Sequence, residues 1–163
     1  MNNTHFAVVK TPCGDVLLRI SDEALIGLWF RGMPHTPQVD PSLLIDATTH
    51  PLVRSVDIQL DEYFRGVRKH FDVPLSLRGS DWHKAVWQRL RDIPWGATTS
   101  YGEIARDIGS PRAYRAVGTA VRMNPVSIIV PCHRVLPASG KLGNYAGGAE
   151  NKRMLLRLEG IEL

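Results

Sequence analysis

The sequence predicts a mixed α/β (α+β) protein in two parts, a short-stranded sheet first and a mainly helical region after it. Three observations carry this. Apolar runs separated by turn residues fill the first thirty positions. Helix caps recur from Ser80 onward. The charge balance also changes near the same point: residues 1–79 hold eight Lys/Arg and nine Asp/Glu, residues 80–163 twelve and seven. A chain of 163 residues can hold one ordinary domain or two small ones, and we divide it into 1–79 and 80–163.

The strands are read at His5–Lys10, Val16–Ile20 and Leu25–Phe30, with turns at Thr11–Gly14 and Ser21–Glu23. Pro34, Pro37 and Pro41 make residues 32–41 a loop. Leu52, Val53, Val56, Leu60 and Phe64 follow helical spacing, so residues 51–66 read as a helix closing at Gly66. Residues 71–77 are a strand or a linker.

Ser80 caps a helix with Trp82, Ala85, Val86 and Leu90 on its inner face, ended by Ile93-Pro94-Trp95-Gly96. Ser100-Tyr101-Gly102-Glu103 is a capping box that opens a short helix stopping at Gly109. Ser110-Pro111 then opens another over 111–122. Ala113, Ala116, Val117, Ala120 and Val121 form its core face, and Arg112, Arg115, Thr119 and Arg122 cluster opposite, with Tyr114 and Gly118 at the border. Two short helices joined by Gly109-Ser110 fit a helix-turn-helix with 111–122 as recognition helix; a plain amphipathic helix with a solvated arginine face fits the same spacing. No carboxylate falls between Asp107 and Glu150, while five cations do, as on a phosphate-facing surface.

Composition excludes several classes. The chain is 44% hydrophobic and 22% charged, as expected of a globular protein, and no apolar stretch reaches membrane-spanning length. Met1 to Phe6 lack the basic-then-apolar layout of a secretory signal, so a soluble cytoplasmic protein is expected. Two distant cysteines, six scattered histidines and no Cys-x-x-Cys or His-x-x-x-His pair argue against a built metal site. Cys13 sits in a turn and reads as a bystander.

Cys132 reads differently. After the Asn124-Pro125 turn, the apolar run Ser127–Val130 leads into Pro131-Cys132-His133-Arg134. A cysteine is most often an inert buried hydrophobe. Here His133 and Arg134 adjoin it, and cationic neighbours favour the thiolate, the form that attacks carbon.

Asn124-Pro125-Val126 through Val130-Pro131-Cys132-His133-Arg134-Val135 resembles the signature of the O6-alkylguanine-DNA alkyltransferases, the methylated-DNA–protein-cysteine methyltransferases. Ser100–Ala105, Arg115–Gly118, Gly143–Gly148 and Leu158–Gly160 are similar at the family's distances. The likeness is dense from residue 80 on and thin before it. It implies a ribonuclease-H-like N-terminal domain with a three-stranded sheet. It also implies stoichiometric, irreversible transfer of an alkyl group from O6 of guanine in double-stranded DNA, with O4 of thymine as a further target, to Cys132 after base flipping.

Carried over by resemblance, Cys132 is the nucleophile, His133 its base through a bridging water, and Glu159 the residue that orients His133. Tyr101 hydrogen-bonds the leaving base, and Asn124 ties the recognition helix to the active segment. Arg115 is the finger that fills the vacated stack, with Arg112, Tyr114, Gly118, Thr119 and Arg122 along the DNA face. Val135, Tyr145 and Ala146 frame the pocket. The resemblance implies no cofactor, no metal, no membrane partner and a monomer, with cooperative binding along DNA left open.

Five positions depart from the family: Tyr114 where it often has a small residue, Ala146 where some relatives have serine, Ser127 where some have proline, and Trp82 and Trp95 where other aromatics are usual. The two tryptophans are expected in the core. Three other readings compete: a non-catalytic lesion-binding relative, a helix-turn-helix regulator, and a turnover cysteine hydrolase. Cys132 weighs against the first; the second leaves Tyr101 and Glu159 unexplained; a thioether resists the hydrolysis that the third requires.

Overall fold

A computed structural model describes residues 4–163; Met1, Asn2 and Asn3, part of the stretch read for a missing secretory signal, lie outside the described residues. The chain divides into two compact units, Met1–Leu77 and Arg78–Leu163.

The first unit is built on an antiparallel sheet of β1 (His5–Thr11), β2 (Gly14–Ile20) and β3 (Leu25–Phe30), in that order. Alternation along β2 buries Val16, Leu18 and Ile20, as a sheet with one covered face requires. Strand β3 is buried at all six positions. Both sheet edges are covered by loop backbone: Ile45 N–H donates to Phe6 O at 2.8 Å, and Leu25 exchanges bonds with Pro74 O (2.9 Å) and Ser76 N (3.0 Å). Residues 71–77 are therefore an extended edge cover with a single bridge at Leu75, which removes unpaired edge groups. Helix α1 (Pro51–Phe64) packs on the sheet through Val53, Val56, Leu60 and Tyr63; the His50 ring caps it by accepting from Leu52 N–H at 3.2 Å. It ends two residues before the expected Gly66.

In the second unit, α2 (Asp81–Arg91) is capped by Ser80, whose Oγ accepts from His83 N–H at 3.2 Å. Its inner face is Val86, Trp87 and Leu90; Ala85 is exposed, and Trp82 and Trp95 are only half-buried. Trp87 takes the expected core place of these residues because its indole N–H reaches a partner, donating to Ala120 O at 2.9 Å. Strand β4 (Thr99–Ser100) leads into α3 (Tyr101–Asp107), with Ser100 Oγ accepting from Glu103 N–H at 3.2 Å.

Helix α4 spans Tyr114–Arg122, not 111–122. Ser110 and Pro111 start a turn closed by Ala113 N–H on Ser110 O (2.9 Å), so the proline that suits a first helical turn serves a β-turn instead, and Arg112 lies ahead of the helix. The buried face is Val117, Gly118, Ala120 and Val121, while Ala116 is exposed. The arc is rotated toward Gly118 because α2 and α3 both pack against this helix, and Tyr101 approaches at Gly118. Residues 132–134 form a 3₁₀ turn and β5 (Val135–Leu136) pairs in parallel with β4. Helix α5 (Ala149–Leu158) closes the unit.

Replacing Trp87 with Phe keeps a ring but leaves Ala120 O without its donor. The expected loss is about 1–3 kcal/mol, read as a lower urea midpoint at unchanged slope. An unchanged midpoint contradicts the bridging role of this indole.

Candidate active site and nucleic-acid interface

Asn124 follows α4 directly and fixes the segment that ends in the cysteine. Its side-chain N–H donates to Val130 O at 2.7 Å and its Oδ1 accepts from Val126 N–H at 3.0 Å. Between these anchors Ile128 is held at φ +72°, a left-handed conformation that costs a β-branched residue of order 1–3 kcal/mol. The run 127–130 is therefore a buried turn rather than a strand. Its last residues deliver Cys132, 4% exposed, at the start of the 3₁₀ turn.

Burial is the largest influence on the Cys132 thiol and pushes it up. Opposing it are a hydrogen bond from the Asn124 side chain, the Lys152 charge and a hydrogen bond from Tyr145. The expectation that charge on His133 and Arg134 would favour the thiolate is thus corrected: the groups that favour it are Asn124, Lys152 and Tyr145. Arg134 turns away. Its Nε donates to Glu159 Oε1 at 2.7 Å, one terminal nitrogen to Oε2 at 3.0 Å, and the other to Ile93 O at 2.6 Å.

His133 is fully buried, and its Nε2 lies 2.7 Å from Glu159 Oε2. An ionised carboxylate only accepts, so Nε2 carries the proton. Nδ1 is buried without a protein hydrogen-bond partner. Burial pulls the His133 pKa below its ordinary value; Glu159 raises it by hydrogen bond and charge, and Arg134 and Lys152 lower it. The ring is neutral at neutral pH, with Nδ1 free to accept a proton.

Sequence reasoning missed Lys152. It sits on α5, fully buried, donating to Val135 O at 2.8 Å and Asn144 O at 3.3 Å. Burial brings its pKa down to about 8, against the charge of Cys132, which raises it. It joins β5 to the loop that carries Tyr145 and Ala146. Gly143, at φ +71°, is required in that loop, because a Cβ there would lie 2.6 Å from the Pro137 ring. Val135 N–H donates to Cys132 O, so the backbone at Cys132 and Val135 is engaged on both sides.

Tyr101 opens α3 beside this site. Burial raises its phenol pKa first, Arg122 lowers it and the Cys132 charge raises it. The phenol therefore keeps its proton at neutral pH and can donate. From Tyr101 a cleft of about 460 Å³ runs along α4, bordered by Tyr114, Arg115, Gly118, Thr119 and Arg122. Arg115 and Arg122 are exposed there, and Arg112 is exposed in the preceding turn. Thr119 Oγ1 links them, donating to Arg115 O at 3.3 Å and accepting from Arg122 at 3.4 Å. Cys132, His133, Glu159, Asn124, Tyr101, Tyr145 and Val135 all belong to the second unit, and of these Tyr101 also borders the cleft lined by Arg115 and Arg122. Cys13 lies in the β1–β2 turn of the first unit, its thiol pushed by burial to about 11. Among the described residues no helix is long and apolar enough to cross a membrane.

Known proteins are similar to this chain along most of its length. Residues 81–161 match the family model of the 6-O-methylguanine DNA methyltransferase DNA-binding domain. The methylated-DNA–protein-cysteine methyltransferase of Methanosarcina acetivorans is 43% identical over 156 residues, covering 96% of this chain and 98% of that one. Its namesake in Mycobacterium bovis is 44% identical over 160 residues, covering 95% and 92%. The crystal structure of Mycobacterium tuberculosis OGT in complex with DNA superposes with a TM-score of 0.85 at 42% identity, covering 95% of this chain and 92% of that one. With identity above two-fifths along nearly the whole of both chains, this protein belongs to the methylated-DNA–protein-cysteine methyltransferase family.

Proposed function

We propose that the protein repairs double-stranded DNA by direct reversal, taking the alkyl group from O6 of a flipped guanine onto Cys132 once and permanently. The observation that carries this is the buried, neutral His133, held by Glu159 at 2.7 Å and adjoining a buried cysteine, with Nδ1 left to receive a proton. His133 draws the thiol proton through a bridging water as Cys132 Sγ attacks the alkyl carbon. The S–C bond forms as the C–O6 bond breaks. Tyr101 donates a hydrogen bond to the departing base, where negative charge develops. Guanine leaves neutral, having gained in net the proton the thiol lost. The thioether has no good leaving group, so each molecule acts once.

Recognition is read on α3 and α4 as a helix-turn-helix. Arg112, Arg122 and Thr119 face phosphates, Gly118 lets the backbone come near, and Arg115 enters the stack vacated by the guanine. The backbone around Val135, Tyr145 and Ala146 frames the base; with alanine at 146 only the main-chain N–H serves there. The first unit's strand-then-helix order fits the ribonuclease-H-like assignment. The protein works in the cytoplasm as a monomer, without cofactor, on O6-alkylguanine and with O4-alkylthymine as a second substrate.

Incubation with a duplex carrying O6-methylguanine, followed by intact-protein mass measurement, is expected to show one added methyl group per molecule, absent in Cys132→Ala. An unchanged wild-type mass overturns the reading, and product beyond one equivalent favours a hydrolase.

Arg115→Ala is expected to slow repair of the duplex by roughly 100-fold or more relative to reaction with a free O6-alkylguanine base, since only the duplex requires flipping. Equal losses on both substrates contradict the finger role.

A further inference from the structure

We propose that Tyr114 stacks on a nucleobase of the duplex next to the place Arg115 occupies, so that the two side chains act as one wedge. This rests on the DNA-repair reading above and deepens it.

Tyr114 opens α4 and is 50% exposed, an aromatic ring left outside the core of its unit. Burying such a ring is favourable, and half of this one is still in water. One turn further along α4 the facing position is Gly118, which has no side chain to cover the ring. The Arg115 guanidinium lies 5.9 Å from the ring centroid, at the outer limit of a cation–π contact, and so leaves ring surface free. The ring borders the same cleft as Arg115, Arg122 and Tyr101.

Charge identifies the occupant. No carboxylate occurs between Asp107 and Glu150, and Arg112, Arg115 and Arg122 surround the ring in sequence. A polyanion with flat apolar faces matches arginines interleaved with an aromatic, because every base offers a π-face whatever its identity. An apolar protein partner would leave those three cations unpaired. Flipping one nucleotide exposes the faces of its neighbours. Arg115 fills the gap, and the adjacent tyrosine can cover the base that bounds it.

The test compares rates on a duplex carrying O6-methylguanine with rates on free O6-benzylguanine. For Tyr114→Ala the ratio of duplex rate to free-base rate is expected to fall about 5- to 100-fold, the range that base–aromatic stacking supplies. Tyr114→Phe keeps the ring without the hydroxyl and should hold the ratio within about twofold of wild type. If Tyr114 touches DNA itself, the double variant Arg115→Ala/Tyr114→Ala loses more than Arg115→Ala alone. An unmoved ratio in Tyr114→Ala overturns the proposal. So does a Phe variant as poor as the Ala variant, which makes the hydroxyl a phosphate contact. A double variant no worse than Arg115→Ala also overturns it, since Tyr114 then only orients the arginine. Wild-type protein that takes no methyl from the duplex fails the underlying repair reading, a result separable from an active wild type with an unmoved Tyr114→Ala ratio.

Discussion

Glu159 is an ionised carboxylate 4% exposed at the end of α5, and the active segment is organised around keeping it there. A buried charge is tolerated only when it is paired and its lone pairs are used. Arg134 supplies a two-pronged partner and His133 a third donor. Both come from the 3₁₀ turn that begins at Cys132, so satisfying the carboxylate sets the turn and, with it, the place of the thiol. Removing one member of such a set costs about 3–5 kcal/mol, because the others remain buried and unmatched. Arg134 carries the constraint further by binding Ile93 O, which ties the turn to the loop after α2.

The electrostatics follow from this arrangement. Arg134 is matched by Glu159, Lys152 supplies the positive charge that acts on the sulfur, and burial dominates both Cys132 and His133. Thiol and imidazole are each kept neutral. The proton transfer then belongs to the attack on the alkyl carbon rather than preceding it, which is the task of a general base. His133 has a folded-state pKa below the unfolded value. Its contribution to stability is therefore present above the ordinary histidine range near 6.5 and is lost as pH falls through the lower folded-state value.

Much of this was legible in sequence where one local rule acts alone. Strand alternation found β1 to β3, Ser80 and Ser100 cap as their side chains require, and the Pro-Cys-His-Arg run marked the reactive segment. What was not legible depends on contacts between distant residues. Ser110-Pro111 has the chemistry of a helix start and of a turn equally, and in the fold Ala113 N–H closes it as a turn on Ser110 O. Arg134 looked like a neighbour of the thiol because it is close in sequence; its partner Glu159 is 25 residues away. Lys152 reads as one more solvated cation on α5, and only the carbonyls of Val135 and Asn144 make its burial tenable. The one available signal was its spacing: Lys152 lies three residues before Leu155 and four before Leu156, on the buried side of that helix.

His133 is a neutral base, protonated at Nε2 by its bond to Glu159 and open at Nδ1. Heteronuclear NMR of the ring nitrogens through a pH titration reads this directly. A single proton, on Nε2, is expected at neutral pH, with the second arriving only below the ordinary histidine range. A ring protonated on both nitrogens at neutral pH would contradict it, because the site would then hold a preformed imidazolium that could not take the thiol proton.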